Sequence, residues 1–309
     1  MTSYERTAEQ LAIIEYPLLP LRVAAGAGTG KTATIADRIA HIISGGIPPE
    51  AVLGVTFTNK AAQELSNRLQ SQLPALATQG REVEVMTYHG FAYGILHEYG
   101  IQAGIERSNA IIGPGIARQL LLASFTDDSY EHLDMTAPFQ RLIDATNLAQ
   151  QLSGNLLYAE DLLASIPVDG APPWPARSEL ARIVRRFESA KSDHGVFDYG
   201  DLIRDAHRLV VANTWIATRM RERYQLVVLD EYQDTDSAQR ELLLAVFGSD
   251  FPVTAVGDSD QTIYEWRGAS RENFDGFASH FSAMHGPVTE TLPLTVNHRS
   301  GTLLVGIAR

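Results

Sequence analysis

The segment LRVAAGAGTGKT, residues 21–32, carries an apolar run straight into a loop of alternating glycines that closes on Lys31 and Thr32. No other stretch restricts the fold as tightly. Its first half lacks polar alternation, so the strand it forms needs cover on both faces, as in a parallel sheet packed between helices. Its second half opens a helical pattern running from Thr32 to Ser44. A strand, a glycine loop and a helix N-terminus in that order form a cradle for an anion.

Gly26, Gly28 and Gly30 leave room for backbone N–H groups to close on phosphate oxygens. Ala25, Ala27 and Thr29 complete the loop, with Ala25 standing where the pattern usually begins with glycine. Lys31 supplies a point charge for β- and γ-phosphates, and Thr32 a hydroxyl for Mg²⁺.

Four further runs, VLGVTF (52–57), VEVMTY (83–88), QLVVLDE (225–231) and PVTAVGD (252–258), read as buried strands of the same kind. Helical stretches such as Asn59 to Leu73 separate them, which predicts an α/β fold with a parallel sheet flanked by helices. Between residues 90 and 195 that rhythm stops. GIARQLLLASF, PFQRLIDATNLAQQL and ARSELARIVRRFESAKS hold apolar residues at helical spacing with no convincing strand, so an all-helical insertion is expected. The proline-rich IPVDGAPPWPARS reads as a loop inside it.

The stretch VVLDEYQDTD, residues 227–236, drives four apolar residues into a cluster of carboxylates. Such charge at the mouth of a buried strand calls for a cation. Downstream of a phosphate loop, Asp230 suits Mg²⁺, directly or through water, and Glu231 suits polarising the water that attacks a γ-phosphate. Asp236 is equally suited to cap the helix that follows.

Composition narrows the class further. There is no cysteine, hence no disulfide or thiolate metal site. No apolar run approaches the roughly 20 residues that span a bilayer, and the N-terminal stretch lacks signal-peptide character, so a cytoplasmic protein without a membrane partner is expected. A net charge of −12 argues against coating nucleic acid by bulk electrostatics; any such contact is local.

The run VGDSDQTIYEWRGAS, residues 256–270, is the most specific. Gly257, Asp258, Asp260, Gln261, Ile263, Tyr264, Trp266, Arg267, Gly268 and Ala269 stand in register with GDxDQxIYxWRGA. On these residues the chain resembles the UvrD, Rep and PcrA-like helicases of superfamily 1. VTFTNKAAQEL (55–65), MTYHGFA (86–92), FDYGDLI (197–203) and LTVNHRS (294–300) resemble further family motifs in the family's order.

The resemblance implies a RecA-like P-loop NTPase of residues 1–92 and 196–293, a helical inserted subdomain over 93–195, and the start of a second RecA-like domain at 294–309. It implies ATP with Mg²⁺ as cofactors, single-stranded DNA and single-strand/duplex junctions as partners, and 3′ to 5′ movement. Gln10 would bond the adenine, although Thr7 and Gln10 also have capping-box spacing. Gln261 would sit near the γ-phosphate, and Arg299 would reach it as an arginine finger. Phe57, Tyr264 and Trp266 would stack on bases, with core packing as the alternative for each. Thr58, Asn59, Lys60, Thr87, His89 and Arg267 would lie along the DNA path, with a structural role as the alternative for His89.

The chain departs from the family at Ala33, where arginine usually follows GKT, at His298 in place of a base-stacking tyrosine, and at Glu265 in place of a common glycine. The family hydrolyses ATP between two RecA-like domains, so the expectation is an N-terminal motor half that binds nucleotide and turns it over slowly. A helicase–nuclease motor and a DNA-sensing ATPase that does not unwind are the alternatives. On one inserted helix, Arg182, Arg185 and Arg186 form a basic face, read as solvated or as touching duplex DNA.

Overall fold

The continuous apolar runs become neighbouring strands of one sheet. A computed structural model describes residues 6–74, 78, 80–104, 110–125, 130–167, 173–261, 271–282 and 289–298. Its strands are β1 (Leu21–Ala25), β2 (Val52–Thr56), β3 (Glu84–Thr87), β4 (Ala110–Ile111), β5 (Val196–Phe197), β6 (Leu226–Leu229), β7 (Val253–Gly257) and β8 (Glu290–Leu294). Six of them form a sheet in the order β3-β2-β6-β7-β1-β8, with every pairing parallel. Together with the helices around it, this is the α/β arrangement of a RecA-like domain.

The chain divides into two compact units, Met1–Phe91 with Asn213–Arg309, and Ala92–Ala212. In the first unit lie α1 (Ala8–Ile14), α2 (Lys31–Ser44) and α3 (Asn59–Gln72), and α4 (Tyr88–Tyr99) begins there. The second holds α5 (Pro114–Ala123), α6 (Pro138–Gly154), α7 (Ala159–Ser165), α8 (Trp174–Asp193) and α9 (Tyr199–Ala212). Returning to the first unit, the chain forms α10 (Thr214–Arg223), α11 (Ser237–Phe247), α12 (Arg271–Asp275) and α13 (Phe277–His280).

In the first unit, Ile13 from α1, Ile35 and Ile39 from α2 and Leu65 and Leu69 from α3 pack with Leu21, Val23, Val52, Leu226, Val228 and Val256. Truncating one of these to alanine typically costs about 2 to 5 kcal/mol. Phe247 of α11 gathers a second, aromatic cluster with Phe91, Tyr224 and Phe251, ring centroids 5.0 to 6.3 Å apart. β8 was not anticipated. It is an edge strand with Glu290, Thr291 and Pro293 exposed, so it lacks the apolar run that betrays a central strand, and an edge tolerates proline.

Arg38 in α2 is fully buried. Its guanidinium donates to the carbonyls of Ile13, Tyr16 and Pro17 at 2.9, 2.6 and 3.1 Å, and its Nε to Thr254 Oγ1 at 3.2 Å. Burial lowers its pKa to about 10, yet the guanidinium stays charged at neutral pH. It thereby ties the chain after α1 to the sheet.

The helical unit closes on its own core of Leu121, Leu133, Leu142, Ala145, Leu152, Ile183, Val184 and Phe187. It continues past the expected limit of residue 195. The reason is local: β5 pairs with β4, and α9 supplies Asp201 and Arg204 to a buried ion cluster. Lys191 bonds Asp198 and Asp201, each at 2.7 Å, while Arg204 bonds Asp201 at 2.7 Å, Glu188 at 2.8 Å and Asp205 at 3.0 Å. The expected proline-rich loop gives way to α8 at Trp174. Of the arginines expected to form a basic face on α8, Arg182 and Arg185 are exposed, Arg185 lying 3.8 Å from the exposed Glu160, while Arg186 turns inward, donating to the Ser124 carbonyl at 2.9 Å and to the Tyr130 hydroxyl at 3.1 Å.

Candidate nucleotide site

Strand order decides which sequence motifs can meet. β6, β7 and β1 are consecutive in the sheet, so the chain leaving the carboxyl end of each emerges along one edge, where open α/β sheets bind ligands. That edge collects the glycine loop after β1, Asp230 and Glu231 after β6, and Asp258 to Gln261 after β7. β2 and β3 are also neighbours, so Phe57 to Lys60 and Thr87 to His89 emerge together farther along the same edge.

The glycine loop has the backbone its sequence calls for. Gly28 and Gly30 take φ of 76° and 87°, a left-handed conformation that glycine adopts without strain. The loop's carbonyls are occupied within the chain. Thr29 Oγ1 donates to the Gly26 carbonyl at 2.8 Å, and Asn297 Nδ2 to that of Ala27 at 2.8 Å. The backbone N–H of His298 donates to the Gly28 carbonyl at 2.8 Å, and Thr34 Oγ1 to that of Gly30 at 3.1 Å. Lys31 and Thr32 open α2, and both are half-buried. Ala25 ends β1 inside the core.

Lys31 Nζ lies 3.2 Å from Glu231 Oε2. Glu231 itself has φ 51°, one of two non-glycine residues with positive φ among the described residues. Such a conformation costs about 1 to 3 kcal/mol and persists only where the surroundings impose it. Gln233 Nε2 donates to the same Oε2 at 2.8 Å, and Gln233 Oε1 accepts the Asp258 backbone N–H at 3.1 Å. Asp258 Oδ2 in turn accepts from Gln261 Nε2 at 2.5 Å.

Asp230 is buried at the end of β6 and accepts the Glu231 backbone N–H at 3.0 Å. Burial, reinforced by the neighbouring Glu231 carboxylate, pushes its carboxyl up to about 6. Among the described residues no cationic side chain is in ion-pair contact with it. A buried carboxyl in no ion-pair contact, with only the Lys31 charge acting from farther off, fits a divalent cation, and with Thr32 at the start of α2 the donor set is oxygen only, as Mg²⁺ prefers.

Gln10 caps α1 and lies beside the glycine loop. Thr7 and Gln10 form a capping box, with Gln10 Oε1 accepting the Thr7 N–H at 3.0 Å, and this fixes the side chain with its Nε2 close to Gly30. Asp236 caps α11 in a capping box with Gln239. Thr58 caps α3, accepting from the Ala61 N–H at 3.1 Å, and Thr87 Oγ1 accepts from the Gly90 N–H at 3.1 Å. Asn59 and Lys60 are exposed, Phe57 and His89 half-buried, and burial lowers the His89 pKa. His298 is exposed beside the glycine loop. Tyr264, Trp266, Arg267 and Arg299 lie outside the described residues.

Three contributors were not anticipated. Gln233 and Asn297 are described above; Glu9 holds Thr295, whose backbone N–H and hydroxyl donate to its carboxylate at 2.8 and 2.7 Å. The only sequence signal was proximity to a motif already recognised.

Known proteins match this chain along almost its whole length. The model of the UvrD/REP helicase N-terminal domain matches residues 6–282. DNA helicase II of Escherichia coli is 30% identical over 97% of this chain and 39% of its own length. The ATP-dependent DNA helicase UvrD2 of Mycobacterium tuberculosis is 31% identical over 97% of this chain and 42% of its own. For the ATP-dependent DNA helicase Rep of Salmonella typhimurium the values are 30%, 93% and 40%. The chain thus spans about two fifths of the length of these relatives. With nearly all of its residues matched in order, the chain belongs to the UvrD/REP helicase N-terminal domain family.

Proposed function

We propose that this chain is the ATP-hydrolysing motor half of a DNA helicase or translocase that moves 3′ to 5′ on single-stranded DNA and engages single-strand/duplex junctions. The observation that carries the reading is the meeting of Lys31, Glu231 and buried Asp230 at the carboxyl edge of adjacent parallel strands. The names of its relatives, DNA helicase II, UvrD2 and Rep, support the choice of DNA as substrate.

In this reading Gly26 to Gly30 enclose the phosphates with backbone N–H groups, Lys31 pairs with the β- and γ-phosphates, and Gln10 bonds the adenine, with His298 nearby. Thr32 and Asp230 hold Mg²⁺, which neutralises phosphate charge when bound. Glu231 Oε2 is already held by Lys31 and Gln233, so Oε1 is the oxygen that takes the proton of the attacking water. Gln261 senses the γ-phosphate, and Arg299 completes the charge around it. Phe57, Thr58, Asn59, Lys60, Thr87, His89, Tyr264, Trp266 and Arg267 line the DNA path, contacting backbone and base faces without regard to sequence. Residues 294–309 lead toward a second motor domain.

The test is ATP hydrolysis by the complete protein with and without single strands, alongside separation of duplexes tailed at 3′ or 5′ ends. Stimulated hydrolysis with separation of the 3′-tailed duplex is expected. Stimulation without separation overturns unwinding, and no stimulation overturns the DNA motor.

A further inference from the structure

The Glu231 carboxylate has a half-exposed side chain on a strained backbone, and among the described residues two groups hold it: the Lys31 ammonium and the Gln233 amide. Lys31 is also the group an incoming triphosphate would claim. Once it turns away, the Gln233 amide is what remains, among the described residues, to aim the carboxylate.

Gln233 is built for that task. It is 2% exposed, and its amide is oriented without ambiguity, because Oε1 accepts a backbone N–H, which can only donate, while Nε2 faces a carboxylate, which only accepts. Its room is provided by Gly257. A Cβ at that position would collide with Gln233 Oε1 and meet the Phe274 ring at 3.0 Å. The oxygen side of the amide reaches Asp258, whose carboxylate binds the Gln261 side chain at 2.5 Å and the Asp260 N–H at 3.0 Å.

We propose that Gln233 is a positioning residue that aims the Glu231 carboxylate and ties its position to the Asp258–Gln261 segment at the end of β7. The inference rests on the reading of Glu231 as general base. A change at Glu231, such as the loss of Lys31 to phosphate, then reaches Gln261 through one amide and one backbone N–H. Packing alone would fill the same space without linking the two segments.

Two variants decide the matter in the nucleotide-free chain, with amide hydrogen exchange at Asp258 as readout. Gln233→Met keeps length but removes both hydrogen bonds, and exchange at Asp258 should quicken about tenfold, the loss of one hydrogen bond. Glu231→Ala leaves Gln233 in place but removes one of its two anchors, and should quicken exchange at Asp258 several-fold. Unchanged exchange in Glu231→Ala overturns the linkage, even if Gln233→Met fails to fold. In the complete protein, Gln233→Met should lower kcat by about 10- to 100-fold with KM within about twofold, as loss of one hydrogen bond to a charged group predicts. A rise in KM at constant kcat overturns the positioning role. If the unaltered complete protein hydrolyses no nucleotide, the reading of Glu231 as base fails, while the exchange measurement still decides whether the two segments are linked.

Discussion

Lys31 and Glu231 form an ion pair 3.2 Å long in which the lysine side chain is 10% exposed and the glutamate 37%. In the proposed reading, the charge that would meet phosphate is held by the carboxylate that would polarise the attacking water. Replacing Lys31 with Ala should lower affinity for Mg²⁺–nucleotide by about 10- to 100-fold, the loss of one or two charge-assisted contacts. Titration with a fluorescent nucleotide measures it, and unchanged affinity refutes the assignment of the loop.

Replacing Glu231 with Gln keeps the shape of the side chain while removing its capacity to take a proton. Nucleotide should remain bound with kcat in the complete protein lowered by about 10²- to 10⁴-fold. Retained turnover in a single-turnover assay would assign the base elsewhere.

Asp230 offers a pH test. Burial lifts its carboxyl to about 6 in the folded chain, above the value of roughly 4 in an unfolded one. Because the folded value is the higher, the group favours folding while protonated: that contribution is complete below about pH 4 and is lost as pH rises through about 6. At pH 7 without metal, Asp230→Asn should therefore stabilise the chain by about 1 to 3 kcal/mol, while Mg²⁺–nucleotide affinity is lost. Denaturant unfolding of both chains should show the gap closing by pH 4; a destabilised Asn variant at pH 7 contradicts the account.

Arg38 offers a test of the proposed adenine contact. Its hydrogen bonds tie carbonyls at and just after the end of α1, and thus the helix carrying Gln10, to α2 and β7. Arg38→Met leaves these carbonyls, those of Ile13 and Ile14 buried, without their donor and should destabilise the chain by about 3 kcal/mol. Thermal unfolding checks this, and nucleotide affinity should fall with it.

The parts of this molecule that were legible in advance are those with a repeating physical cause. Central strands buried on both faces declare themselves as unbroken apolar runs, and Lys31, Asp230 and Glu231 stand at the ends of two such runs. β8 was invisible because an edge strand needs no such run. The two-residue bridge of β4 and β5 is too short to carry a period. Gln233 was passed over because nothing in a lone glutamine tells whether its amide is buried between two partners; that depends on Gly257, which is 24 residues away in sequence but adjacent in space. Thr295 and Asn297 reach Glu9 and Ala27 across most of the chain, a separation no local pattern reports.

The all-parallel order has an outcome during synthesis. β1 is complete at residue 25, but its partners β7 and β8 are residues 253–257 and 290–294. At about 5 to 20 residues per second, the ribosome leaves that apolar strand without neighbours for some tens of seconds. The core of the helical unit, drawn from Leu121 to Phe187, can close in the meantime. The inserted unit is thus the first part of the nascent protein able to fold, and the strand that opens the chain is among the last to be enclosed.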